Sequence, residues 1–176
     1  MADWVLDSGD HQGLPFIIVD KVQATMHVFG ADGRLRAASP VLLGLARGDH
    51  SVPGIGEKPI ATITPEERTT PAGRFVAEMG QNAKGEDILW VDYDTAVSMH
   101  RVRPTVKSER RLQRLATATP ADNRISYGCI NVPIPIYESV VKPLFSPRNG
   151  IVYVLPETGP ASALFGSYDV AALPRR

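Results

Sequence analysis

The chain has 176 residues, 43% of them hydrophobic and 22% charged, which is enough to bury a core as a single domain. Nineteen basic residues balance nineteen acidic ones, so no global charge points to nucleic acid or an anionic membrane surface as a partner. One cysteine excludes an internal disulfide, and no apolar run approaches the length of a membrane span.

The opening segment, MADWVLDSGD, lacks the basic and apolar regions of a secretory signal. Residues 16–20 (FIIVD) and 25–29 (TMHVF) predict short strands. Asp32-Gly33, inside GADGR (30–34), is a strong hairpin signal, and 35–44 reads as the return strand. Turn residues fill 45–73. Strands resume at 74–79, 88–93 and 96–102. Ser108 is a good N-cap for a short helix in which Leu112, Leu115 and Ala116 share a face. A second helical segment spans 134–145, interrupted near its end by Pro143, and GIVYVLP (150–156) reads as a last buried strand. Fifteen glycines and fifteen prolines fit many turns and short strands. No repeat or linker divides the chain, so 1–176 reads as one mainly β domain with two short helices.

Cys129 lies in NRISYGCINVP (123–133). A lone cysteine is ordinarily inert packing. A nucleophilic one needs a base within reach, donors for an oxyanion, and a tight backbone that presents the sulfur. Gly128 supplies the tight backbone, and the N–H groups of Tyr127, Gly128 and Cys129 are placed to converge on an oxyanion. Four histidines compete as base. His100 ends a predicted strand and is the favoured partner. His27 reads as a half-exposed structural residue and His11 as solvated, whereas His50, in RGDHSVPG, is a rival as a catalytic or substrate-contacting residue.

Arg101, Arg103, Lys107, Arg110, Arg111 and Arg114 stand close together with Glu109 as the one acid among them. They read either as a solvated helix face or as an electrostatic guide for carboxylates. Trp90 and Tyr93 read as core and strand-surface residues, though the strand that leads to His100 also allows them to line a cleft. Ser139-Val-Val-Lys142 matches the Ser-x-x-Lys of penicillin-binding proteins, but no Lys-Thr-Gly element accompanies it, so chance explains the match. Neither metal-ligand spacing nor a glycine-rich phosphate loop occurs, so no metal or cofactor is expected.

The segment Ser126-Tyr127-Gly128-Cys129-Ile130-Asn131 resembles the signature of the L,D-transpeptidases, the YkuD-type enzymes of bacterial cell walls. Their pattern is a histidine, a spacer, then Ser/Thr-His-Gly-Cys-hydrophobe-Asn. TTPAGRF (69–75) is similar to the family's Thr-Pro-x-Gly-x-Phe stretch, and 17–35 resembles its opening hairpin, so the resemblance covers most of 16–155. It implies a β-sandwich-like catalytic domain with short helices. Cys129 is then the nucleophile, and His100 the base, oriented by a backbone carbonyl at Arg101. Ser126 and Asn131 hold the turn. Peptidoglycan stem peptides are the implied partner, with Arg101, Arg103, His50 and Trp90 as contacts. A monomer in the periplasm is expected, a location that follows from the substrate class alone.

Two features depart from the family's pattern. Tyr127 replaces the motif histidine, and a phenol that ionises near pH 10 is no general base at neutral pH. The spacer between His100 and Ser126 is also longer than usual. Its predicted helix, 108–117, is expected to form a wall or cap beside the cleft. The alternatives are an L,D-carboxypeptidase, in which water resolves the same thioester, and a wall-binding module that has lost catalysis.

Overall fold

In the computed structural model, which describes residues 1–174, two uninterrupted apolar runs set the middle of the fold. They form β1 (Phe16–Asp20) and β10 (Gly150–Val154), which pair in parallel with Ile17 against Val152. A strand covered on both faces does not need to alternate. Ile17, Val19, Val152 and Val154 enter a large core, while Phe16, Ile18, Ile151 and Tyr153 enter a smaller one. The smaller core is closed by Trp4 and Val5 of α1 (Ala2–Ser8) and by Phe165 of α5 (Ala161–Phe165). His11 is buried beside it, its ring 5.3 Å from that of Phe16, and not solvated as its polar neighbours suggest.

β2 (Thr25–Phe29) and β3 (Leu35–Pro40) extend the sheet antiparallel on one side. On the other side follow β5 (Gly73–Gln81), β6 (Asp87–Asp92), β7 (Val97–Arg101) and β9 (Ile130–Val132). The order of this eight-stranded mixed sheet is β3-β2-β1-β10-β5-β6-β7-β9. Past β9, Asn131 exchanges two backbone hydrogen bonds with Leu42, each 2.9 Å. Leu42 lies two residues beyond the end of β3, so the chain ties the two outer edges together and the sheet is nearly barrel-like. The short β4 (Leu43–Gly44) pairs in parallel with β8 (Arg124–Ser126). The fold is mainly β, as expected.

Three local readings are corrected. The strand expected over 35–44 is split, because 42–44 turns away to reach β8 and β9. Ser108 caps no helix. It sits in a 3-10 turn (Lys107–Glu109), Arg110 takes a left-handed conformation (φ 51, ψ 40), and α2 (Arg111–Ala116) begins after it. α2 has no buried residue, so the expected apolar face stays partly exposed. Pro143 does not break the second helical segment. Between α3 (Ile134–Ile136) and α4 (Lys142–Phe145) lies a π turn (Tyr137–Val141), in which the Lys142 N–H donates to Tyr137 O. This wider turn accommodates a proline that lacks its own N–H donor.

Lys21, at the end of β1, is the most deeply buried cation among the described residues. Its ammonium has no side-chain exposure and donates to Gly48 O (2.5 Å), Asp49 Oδ1 (2.7 Å) and Thr70 O (2.9 Å). Arg124 donates to Lys21 O (2.8 Å) and to Glu157 Oε2 (2.7 Å). Asp49 also accepts from the N–H groups of Glu157 (2.8 Å) and Thr158 (2.9 Å). Burial acts to raise the Asp49 pKa, but these hydrogen bonds hold it well below the usual carboxylate range. Burial pushes Lys21 down, against the pull of Asp49.

Removing one partner from such a cluster strands the other charges. Lys21→Met is expected to lower stability by about 3–5 kcal/mol. Urea denaturation followed by circular dichroism checks this as a fall in midpoint at unchanged slope.

Candidate active site

Alternation along two parallel neighbours places the chemistry. β7 pairs with β9 so that Met99 faces Ile130 and His100 faces Asn131. Val97, Met99, Ile130 and Val132 point into the large core. Ser98, His100 and Asn131 therefore lie on the outer face of the sheet, and Cys129, two residues before Asn131, arrives on the same side.

The turn between β8 and β9 is clamped from several directions. Gly128 has φ 134, and a Cβ there would stand 2.9 Å from Thr69 O, so glycine is required for both conformation and space. Thr70 Oγ1 donates to Gly128 O (2.7 Å) and accepts the Gly44 N–H (2.9 Å). Ser126 Oγ donates to Cys129 O (2.6 Å) and accepts the Gly128 N–H (3.1 Å). Asn131 Nδ2 also donates to Cys129 O (3.3 Å). Ser126 and Asn131 thus hold the turn. The Gly128 N–H, expected among the oxyanion donors, is occupied by Ser126, which leaves Tyr127 and Cys129 as the backbone candidates. The Tyr127 ring is exposed and lies under the Arg68 guanidinium, 4.0 Å away.

The thiol is half-buried. Its sulfur accepts from the Ser98 N–H at 3.5 Å, lies 3.6 Å from Ser98 Oγ, and donates toward Ala96 O at 3.7 Å. His100 is 7% exposed, and its Nδ1 meets Arg101 O at 2.7 Å. That carbonyl assigns the proton to Nδ1 and leaves Nε2 with its lone pair. Burial pushes the His100 pKa down to about 4. The bond to Arg101 O opposes this, and the Arg103 and Arg111 cations reinforce it. The ring is therefore neutral at pH 7. Cys129 and His100 line one cavity of about 270 Å³. Among the described residues no hydrogen bond joins them at rest.

The segment 102–123, between β7 and β8, forms the facing wall through Arg103, Thr105, Val106, Glu109 and Arg111. Of the range 108–117 expected to form a wall or cap, Glu109 and Arg111 line the cavity. Three expected contacts do not line the cavity. Arg101 sits on the strand face opposite His100, paired with Asp87 (2.9 Å) and Glu138 and stacked 4.5 Å over Tyr137. Trp90 stacks on Tyr93, with ring centroids 4.8 Å apart. His50 is exposed, and its buried neighbour Asp49 belongs to the Lys21 cluster. Arg103 does line the cavity, with one nitrogen on Glu86 (2.6 Å). Sequence reasoning missed Thr70, Ser98 and Arg111 as site-building residues. Thr70 lies within TTPAGRF, and strand alternation alone puts Ser98 on the face of His100. Among the described residues no group of three or more histidine, cysteine or carboxylate side chains is placed to hold a metal ion.

No family profile matches the chain, and no curated protein matches it in sequence. Solved structures do. A variant of the helical cell shape determining protein Pgp2 from Campylobacter jejuni is 15% identical, with a TM-score of 0.52, over 93% of this chain and 60% of that one. Pgp2 itself is 15% identical with a TM-score of 0.50, over 89% of this chain and 55% of that one. The catalytic domain of an L,D-transpeptidase from E. faecium is 18% identical with a TM-score of 0.45, covering 80% of this chain and 96% of that domain. At these identities the likeness is one of fold, and the chain spans little more than half the length of the Pgp2 chains.

Two outcomes follow from this geometry. Thr70→Val leaves a buried carbonyl and a buried N–H unpaired. It is expected to lower stability by about 2–4 kcal/mol, read from thermal unfolding, and to speed amide exchange at Gly44. The unfolded chain binds the His100 proton near pH 6.5 and the folded chain only near 4, so acid favours unfolding across that window. Stability is expected to fall by roughly 3 kcal/mol from this group as pH drops from 6.5 to 4, and then to level off. His100→Gln removes that slope in denaturation measured at stepped pH.

Proposed function

We propose that this chain is a peptidoglycan L,D-transpeptidase that forms a thioester on Cys129, with His100 as its general base. The observation that carries the reading is the pairing of a neutral, buried His100, its Nδ1–H fixed on Arg101 O, with the chain's one cysteine in the same cavity. The signature-like Ser126–Asn131 segment and the fold shared with Pgp2 support it. On this reading residues 1–176 act as one catalytic domain with its core over 16–155, working as a monomer in the periplasm.

The sulfur first swings from Ser98 and Ala96 toward the substrate. His100 Nε2 takes the thiol proton as Cys129 Sγ bonds to the carbonyl carbon of the amide between the L- and D-centres of a tetrapeptide stem. The oxygen becomes an anion facing the Tyr127 and Cys129 N–H groups. The imidazolium then passes its proton to the departing amine, the C–N bond breaks, and the D-amino acid leaves a thioester behind. The amine of a second stem attacks this carbonyl and gives a proton to His100. The C–S bond breaks, and the returning proton restores the thiol. The product is a cross-link of the 3–3 or 1–3 type.

Incubation with purified tetrapeptide muropeptides, followed by mass spectrometry, tests the reading. Cross-linked dimers are expected, and tandem fragmentation of them assigns the linkage. Tripeptides alone make the protein an L,D-carboxypeptidase. Neither product, together with no carbapenem adduct, makes it a binding module. Cys129→Ala is expected to reduce turnover by about 10³-fold or more. Because His100 is already neutral at mild acidity, acylation is expected to decline only as pH falls through about 4, and not near 6.5. A carbapenem acylation series across pH reads that limb.

A further inference from the structure

We propose that Arg111 is a positioning residue, which fixes the amide of Asn131 behind the nucleophile and places a permanent positive charge on the wall His100 shares. The inference rests on His100 being the base, and it concerns a residue of the 102–123 segment that the reaction scheme does not use.

Arg111 projects from the first position of α2, which begins there because Arg110 turns left-handed. Its side chain is 13% exposed. One arm donates to Asn131 Oδ1 at 2.6 Å, and Nε donates to Glu109 Oε2 at 2.6 Å. Asn131 is fully buried, and its other amide atom, Nδ2, donates to Cys129 O. Only one amide orientation satisfies both neighbours. The flipped amide would set Nδ2 against a guanidinium and Oδ1 against a carbonyl oxygen, two repulsions in a dry site. Arg111 therefore decides that the carbonyl of the nucleophile is held from behind.

The same guanidinium bears on the imidazole. Around His100 stand Arg103 and Glu86 from the end of β7 and the β5–β6 turn, Arg111 and Glu109 from the wall, and Cys129 and Tyr127 from the β8–β9 turn. Arg103 is paired with Glu86, and Arg111 with Glu109. The two cations still oppose protonation of the ring, adding to the dominant effect of burial. A planar fork performs both tasks at once, and an ammonium performs only the second.

The test uses the full chain as wild type, Arg111→Gln and Arg111→Lys. The His100 ring is titrated by NMR, its signal identified by His100→Gln, and Cys129 acylation by a carbapenem is timed in parallel. Arg111→Gln is expected to raise the His100 midpoint by about 0.5–1 pH unit and to slow acylation. Arg111→Lys is expected to keep the wild-type midpoint while acylating about 10-fold more slowly. An unchanged midpoint in Arg111→Gln overturns the inference, and so does an Arg111→Lys protein that acylates at the wild-type rate. The titration needs no turnover, so the two readings fail separately. A raised midpoint beside pH-independent acylation upholds Arg111 and removes His100 as the base.

Discussion

A buried ammonium is the constraint on which the rest depends. Lys21 has no water to solvate it, so folding is favourable only when Gly48 O, Thr70 O and Asp49 are all in place around it. That requirement pins the loop over 47–49, the segment around Thr70 and the start of β8 to the end of β1. Thr70 offers its carbonyl to Lys21 and its hydroxyl to Gly128 O, so one residue connects the charge cluster to the turn that carries Cys129. The rigidity of the β8–β9 turn is thus inherited from a cluster on the far side of Thr70. Glu157 extends the tie to the chain beyond β10 through Arg124 and the Gly48 N–H.

What was legible in the sequence follows from the same physics. β1 and β10 were readable because double-sided burial demands continuous apolar residues, and a run such as FIIVD has few other uses. β8 and β9 were not, because each is three residues long and exists only through partners far away, β4 and β7. No local propensity encodes such pairing. The contrast between His100 and Arg101 was available in principle: neighbours on a strand face opposite ways, so only one of them reaches the thiol's side. Arg101 was drawn into the expected site by its charge, and its actual partners, Asp87 and Glu138, lie on the other face. The helix start at Arg111 was hidden because a left-handed arginine carries no sequence signal of its own.

The electrostatics of the cavity describe a site held neutral at rest. The imidazole is stripped of water and flanked by two arginines, each countered by a carboxylate. The thiol is satisfied by long contacts with Ser98 and Ala96, weaker than ordinary hydrogen bonds and easily exchanged. A base held near pKa 4 in isolation is a poor proton acceptor in water. Within this cavity the proton it takes leaves an anion beside it, and a thiolate or oxyanion stabilises imidazolium strongly where the dielectric is low. In the proposed reaction, proton transfer and carbon–sulfur bond formation are thereby coupled, because neither charge is stable there without the other.

Tyr127 fits this arrangement better than it fits the signature that the segment 126–131 resembles. A second histidine at the turn would bring another titrating group to a site whose charge is already balanced. The phenol presents its ring to Arg68 from the exposed side. The turn then carries no second imidazole, and in the proposed reaction proton traffic is left to His100 on β7. The 102–123 segment completes the isolation by covering the outer face of the sheet, where an open cleft would hydrate His100 and return its pKa toward 6.5. The departures at Tyr127 and in the spacer thus act in one direction: the turn brings no second imidazole, and the wall keeps water from the ring while its arginines disfavour protonation until, on the proposed reading, substrate brings the charge that the ring needs.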